Sequence, residues 1–244
     1  MKNFLNITDL SYDNILSIIN DNKHVKVLQN KSIGLLFEKN STRTRLSFAV
    51  GISNLGGNAV NIRFEDLNIS RDESFEDTFR AMDCYLDGLV YRTNNHQNLI
   101  QASRYFKKPI INALSDQSHP CQALSDLVSL KEHFGSLDVH ILWMGDMNNV
   151  CFSLVEAVNL IQELKLTICT PSSISKMTNW VFGSNISIIH DLKNIDLQSI
   201  NCVMTDVFIS MNDKESDKKI KSLKPYAVNS DLMSKTDANS IFMH

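Results

Sequence analysis

Ten short apolar runs alternate with stretches of helical spacing along this 244-residue chain, and that alternation restricts its fold more than any other feature. The runs are Ile33–Phe37, Ala59–Phe64, Gly88–Arg92, Pro109–Ala113, Val139–Met144, Leu166–Cys169, Ile186–Ile189, Cys202–Phe208, Tyr226–Val228 and Ser240–Met243. Between most of them apolar residues recur every three to four positions, as over Phe75–Leu86, Gln122–Phe134 and Cys151–Glu163. A strand that is apolar throughout needs cover on both faces, and intervening helices supply it. The pattern therefore predicts an α/β fold of parallel sheets flanked by helices. Ten strands are many for one open sheet, which predicts two α/β domains. Gly135 suits the end of a long helix at Phe134, so the expected domains are residues 1–134 and 135–244.

Charge excludes several partners. With 24 Lys+Arg against 27 Asp+Glu the formal net charge is −3, which gives no reason to expect nucleic acid or an anionic membrane. No apolar stretch approaches the roughly 20 residues of a membrane span. The N-terminal MKNFLNITDL has Asp9 and no long apolar core, unlike a secretory signal, so a cytoplasmic protein is expected. Cys84, Cys121, Cys151, Cys169 and Cys202 are scattered with no CxxC pair. They read as reduced thiols, with neither a zinc site nor any other metal or cofactor expected.

The chemistry concentrates where predicted strands end. After Ile33–Phe37 comes Glu38-Lys39-Asn40-Ser41-Thr42-Arg43-Thr44-Arg45, which opens a helical segment from Leu46 to Leu55. A helix start offers unpaired N–H groups and the positive end of its dipole, and Ser41, Thr42, Arg43, Thr44 and Arg45 add hydroxyl and guanidinium donors. Such a cluster can bind phosphate without a glycine-rich loop. It also suits an N-cap serine beside solvated arginines.

Three further strand ends carry polar groups. Arg92 closes Gly88–Arg92 and by itself reads equally as a solvated end. His119 and Gln122 stand three apart at a helix start, with Pro120 in the first turn; together they can donate to and accept from one small polar group, or His119 can simply cap the helix. Trp143-Met144-Gly145-Asp146-Met147-Asn148-Asn149 occupies the place of a dinucleotide fingerprint but lacks its second and third glycines, and so reads as a polar side-chain site. Asp206 follows an apolar run and should meet a cation, either a ligand ammonium or a structural partner. The charged run 213–224 reads as a solvated helix face.

Taken together, FEKNSTRTR (37–45), YR (91–92), HPCQALSD (119–126), GDMNN (145–149), TDVFISM (205–211) and FMH (242–244) resemble the aspartate/ornithine carbamoyltransferase family, and within it the members that use ornithine. The resemblance covers essentially the whole chain. It implies a homotrimer with sites between domains, completed by a neighbouring subunit, and a metal-free transfer from carbamoyl phosphate to the δ-amine of L-ornithine. The product is L-citrulline, in either direction of arginine metabolism. By motif, Ser41, Thr42, Arg43 and Thr44 would hold the phosphate, while Arg92, His119 and Thr44 would polarise the carbamoyl oxygen. Gln122 would orient the carbamoyl nitrogen. Asn149, Asp206, Ser210 and Met211 would bind ornithine, and the loop 68–73 would reach a neighbouring site. Asp206 would attract an ammonium and repel a second carboxylate, which favours ornithine over aspartate; putrescine also brings an ammonium.

The family pattern continues past FMH with Cys-Leu-Pro and further helices, whereas this sequence stops at His244. On that ground the second domain is expected to be incomplete at its C-terminus. The chain is expected either to be a working carbamoyltransferase or to be an impaired fragment that binds carbamoyl phosphate without turnover. Asn212 replaces the usual glycine after Ser-Met, a minor departure because Asn tolerates left-handed backbone.

Overall fold

The computed structural model describes residues 3–21, 25–71, 73–175, 180–208 and 216–244. The chain packs as two compact units, residues 1–121 and 122–244. This packing division falls within the motif HPCQALSD, ahead of the glycine at 135.

The first unit holds β1 (Ser32–Phe37), β2 (Asn58–Arg63), β3 (Gly88–Arg92) and β4 (Ile110–Leu114). Its helices are α1 (Tyr12–Ile19), α2 (Thr42–Asn54), α3 (Phe75–Tyr85) and α4 (His96–Tyr105). The strands are parallel in the order β2-β1-β3-β4. Period-two alternation assigns the faces. Leu36, Leu89 and Tyr91 pack with Phe79, Met82, Leu99 and Phe106 of α3, α4 and the loop that follows. Leu35, Phe37 and Val90 pack on the other side with Ile52, Phe48 and Ala49 of α2. Every residue of β3 is buried, as a strand covered on both faces requires. The N-terminal segment seals the sheet edge, with Phe4 bridging Ile111.

The second unit holds α5 (Pro120–Phe134), of which residues 122 onward belong to it, and β5 (His140–Met144), β6 (Lys165–Cys169), β7 (Ile186–Ile189), β8 (Cys202–Thr205) and β9 (Ile241–Met243). These five strands are parallel in the order β7-β6-β5-β8-β9. Helix α6 (Asn149–Leu160) buries Leu154, Val155 and Val158, and α7 (Ser172–Ser175), α8 (Ser216–Leu223) and α9 (Ser230–Met233) complete the unit. Leu142, Met144 and Val203 pack with Ile200 and Leu232. Gly135 ends α5 at φ +75°, a conformation costly for any residue with a Cβ.

Nine of the ten expected strands are present among the described residues. Tyr226–Val228 is not one of them. Pro225 supplies no ladder N–H, residues Lys224–Tyr226 form a 3-10 turn, and the Tyr226 hydroxyl donates to the His190 carbonyl at 3.0 Å. The expected strand Cys202–Phe208 stops at Thr205, whose hydroxyl donates to the Met144 carbonyl at 2.7 Å.

Gly57 sits where β2 begins. A Cβ there would meet Leu28 Cβ at 2.9 Å, Ile52 Cγ2 at 3.0 Å and the Ile52 carbonyl at 3.3 Å, none of them a flexible side-chain tip. Gly57→Ala is expected to cost about 1–3 kcal/mol of folding stability by overpacking, read as a lower midpoint in chemical denaturation.

Candidate functional site

In the first unit the chain leaves β1, lays β2 on one side and then starts β3 on the other. The carboxyl ends of β1 and β3 therefore flank the point where the strand order reverses, the usual ligand position in open α/β sheets. Phe37 and Arg92 are register partners there. Arg92 is only 7% exposed, and its Nη1 donates to Ser41 Oγ at 3.0 Å and Thr44 Oγ1 at 3.3 Å. Burial lowers its pKa, yet a guanidinium stays charged at any ordinary pH. Among the described residues it forms no ion pair, and its side-chain hydrogen bonds there go to two hydroxyls. Such a group gains from an incoming anion.

Ser41 is the N-cap residue of α2, but its side chain makes no capping hydrogen bond. The caps of α3 and α4 differ: Ser74 accepts from Asp77 N–H and Asn95 from Gln97 N–H. With Ser41 turned to Arg92, α2 begins without a side-chain cap, and Thr42 and Arg43 of its first turn are exposed. Arg45 goes elsewhere than its neighbour Arg43, its guanidinium lying 5.0 Å from the centre of the Phe37 ring. Glu38 is tied down in turn. It accepts from the Tyr91 hydroxyl at 2.5 Å, from Asn94 N–H at 2.9 Å and from Asn98 Nδ2 at 3.2 Å. Those three bonds fix the loop between β1 and α2 against β3 and α4.

His119 is half-buried, and desolvation with the nearby Arg92 charge lowers its pKa to about 4. It is therefore neutral at physiological pH, a donor and acceptor of hydrogen bonds rather than an acid. The Cys121 thiol donates to the Asn112 carbonyl at 3.4 Å, and burial pushes it up to about 12, which removes it as a nucleophile at neutral pH.

The second unit repeats the topology. After β5 the chain builds β6 and β7 on one side, then returns to β8 on the other, so the ends of β5 and β8 flank its reversal. Met144 pairs with Thr205 there. Gly145 turns the chain at φ +118°, and the buried Asp146 pairs with Lys219 of α8 at 2.7 Å. Asn148 caps α6 by accepting from Val150 and Cys151 N–H, both at 3.1 Å, and its Nδ2 donates to Asp206 Oδ2 at 2.6 Å. Asp206 is thus half-buried, and its described partner is an amide where the sequence pointed to a cation. An amide satisfies one carboxylate lone pair and leaves the negative charge in place. Asn149 is the first residue of α6. Ser210 and Met211 lie outside the described residues. In the loop 68–73, Asn68–Arg71 is a 3-10 turn closed by Glu73 N–H to the Asn68 carbonyl, and Asp72 lies outside the described residues.

Two residues were missed by sequence reasoning. One is Asn148, whose signal was the N-cap preference of asparagine at the start of an apolar helix. The other is Asp126, 5% exposed, which accepts from Gln122 Nε2 at 2.8 Å. Its signal was a carboxylate one turn after Gln122 among Ala123, Leu124 and Leu127. Among the described residues no group of three or more His, Cys, Asp and Glu side chains could hold a metal ion. No helix among them is long and apolar enough to cross a membrane.

Both halves thus belong to the class of α/β proteins with polar side chains gathered at a strand-order reversal, a guanidinium on two hydroxyls in one half and an amide–carboxylate cluster in the other. Residues 2–132 match the family described as aspartate/ornithine carbamoyltransferase, carbamoyl-P binding domain, and residues 137–244 match its Asp/Orn binding domain. The chain belongs to the aspartate/ornithine carbamoyltransferase family. It is 36% identical to the ornithine carbamoyltransferase of Methanosphaera stadtmanae, with 100% of this chain and 86% of that protein covered. Among solved structures it resembles ornithine carbamoyltransferase from Pyrococcus furiosus (TM-score 0.89, 31% identity, 100% and 84% covered). It also resembles the anabolic enzyme from Campylobacter jejuni (TM-score 0.88, 32% identity, 100% and 86% covered).

Burial raises the Asp126 pKa from 3.8 to about 6, with Asp206 adding to the rise and the Gln122 hydrogen bond opposing it. The folded protein therefore holds this proton more tightly than the unfolded chain. Its contribution is fully present below about pH 4 and is lost as pH climbs through about 6. Relative to Asp126→Asn, wild-type stability is expected to fall by about 2–3 kcal/mol over that window and then level off, measured by denaturation between pH 4 and 8.

Proposed function

We propose that this chain transfers the carbamoyl group of carbamoyl phosphate to the δ-amine of L-ornithine, giving L-citrulline and phosphate. The observation that carries the reading is the buried Arg92, without an ion pair among the described residues, on Ser41 and Thr44 at a helix start that lacks a side-chain cap. That arrangement suits a phosphorylated acyl group. Ser41, Thr42, Arg43, Thr44 and the first N–H groups of α2 take the phosphate, and Arg92 with the neutral His119 and Thr44 faces the carbamoyl oxygen. Gln122 takes the carbamoyl nitrogen.

The amine nitrogen forms a bond to the carbamoyl carbon, and negative charge builds on the carbonyl oxygen. The bond from that carbon to the bridging phosphate oxygen then breaks, and phosphate leaves with the electron pair. The nitrogen gives up one proton, which phosphate or solvent accepts. Arg92 stabilises the oxygen in the transition state, and arginine with the helix terminus stabilises the leaving phosphate. No step needs a covalent nucleophile, in keeping with the raised pKa of Cys121.

Asn149, Asp206, Ser210 and Met211 take the amino-acid end of ornithine. The Asp206 carboxylate, held by Asn148, attracts the α-ammonium and would repel the second carboxylate of aspartate. A homotrimer, with the loop 68–73 serving a neighbouring subunit, and a cytoplasmic setting belong to the same proposal. That none of the five cysteines is in a disulfide supports the latter.

The test is citrulline formation from carbamoyl phosphate and ornithine by the 244-residue chain, with aspartate and putrescine as alternative acceptors. Citrulline above the uncatalysed rate, with little transfer to the other two, is the expected result; transfer to aspartate in preference would overturn the acceptor assignment. Asp206→Asn is expected to weaken ornithine use about 10- to 100-fold while sparing carbamoyl phosphate binding, as loss of a charge-assisted contact predicts. Arg43→Ala is expected to weaken carbamoyl phosphate binding by about 1.5–3 kcal/mol, read as a calorimetric Kd.

A further inference from the structure

We propose that Asp126 is a positioning residue that fixes the orientation of the Gln122 amide and thereby makes the pocket select an –NH2 group over a methyl group on the bound acyl phosphate. The inference rests on the reading that carbamoyl phosphate is the donor substrate.

A glutamine side chain ends in two groups of similar size and opposite hydrogen-bonding sense, a carbonyl that only accepts and an NH2 that only donates. Turning the amide over exchanges them at little steric cost, so a glutamine alone does not define what it recognises. Here the ambiguity is removed one helical turn away. Asp126 Oδ1 lies 2.8 Å from Gln122 Nε2, and an ionised carboxylate has no hydrogen to donate. The NH2 must therefore face Asp126, and Oε1 must face the other way.

The carboxylate is costly to keep where it is. Asp126 is 5% exposed on the side of α5 that carries the buried Ala123, Leu127 and Leu130, forms no ion pair among the described residues, and lies near the like charge of Asp206 and the thiol of Cys202. A leucine or methionine would pack there at lower cost in desolvation. Its described hydrogen-bonding contact is the one that orients Gln122.

With Oε1 turned outward, Gln122 accepts a hydrogen bond from a carbamoyl NH2 and offers nothing to the methyl of acetyl phosphate, which is otherwise close in shape and carries the same phosphate. Leaving that acceptor unpaired disfavours the acetyl compound.

Calorimetric binding of carbamoyl phosphate, acetyl phosphate and inorganic phosphate to the full chain tests this. Wild type is expected to prefer carbamoyl to acetyl phosphate by about tenfold or more, about the worth of one hydrogen bond. Asp126→Leu is expected to weaken carbamoyl phosphate about tenfold, with acetyl and inorganic phosphate unchanged. Asp126→Asn keeps the shape but can either accept or donate, so Gln122 divides between two orientations and the loss should be only about twofold. In a Gln122→Met background neither substitution should alter the preference further. Equal losses for all three ligands, or an unchanged preference in Asp126→Leu, would overturn the proposal while leaving the donor-substrate reading intact. A wild-type chain that binds carbamoyl phosphate no better than inorganic phosphate would remove that reading, and this inference with it.

Discussion

The first unit's site depends on a guanidinium carried at the inner end of a fully buried strand. Arg92 sits where β3 ends, in register with the end of β1, and its charge is largely withdrawn from bulk water. Its partners are two hydroxyls, Ser41 and Thr44, from the start of α2. The price of that arrangement is an unmade cap: the Ser41 hydroxyl accepts from Arg92 and makes no hydrogen bond to the helix N–H groups. A cation held by hydroxyls and a helix start without its cap present complementary demands, and in the proposed function one anion answers both. The Glu38 anchorage to Tyr91, Asn94 and Asn98 keeps the intervening loop in the geometry that makes this possible.

The second unit works with the opposite charge. Its strand-order reversal brings Asp206 to Asn148, so a carboxylate is held by a neutral amide rather than cancelled by a cation. Asp146, by contrast, is paired with Lys219 and acts as a structural tie between the GDMNN turn and α8. The difference between these two aspartates is one of partner chemistry: an amide positions a charge and leaves it available, whereas an ammonium consumes it.

Much of this was legible in the residue order. Apolar runs gave nine strands close to their observed positions, because a strand buried on both faces must be apolar throughout. The tenth failed at Tyr226–Val228, where aromatic and β-branched residues suggested a strand but Pro225 and the cap of α9 dictated turns. Ser41, Thr44 and Arg92 were named from motifs. That Arg43 lies exposed at the helix start while Arg45 lies over Phe37 was not legible, since residues two apart on a helix diverge by about 200° and only packing shows which one meets an aromatic ring. Asp126 stood in the motif HPCQALSD without a role of its own, because burial of a side chain is not written in its neighbours along the chain.

The sequence by itself determined the α/β class, the two parallel sheets and the residue types at each strand end, since periodicity and local backbone chemistry follow from neighbours along the chain. Only the tertiary structure decided which of those residues meet. Ser41 and Arg92 are 51 positions apart, and Asn148 and Asp206 are 58. The reversal of strand order that brings each pair together is a property of sheet assembly. Protonation followed the same division: the shifts at His119 and Asp126 arise from burial and neighbouring charge, which no linear motif carries.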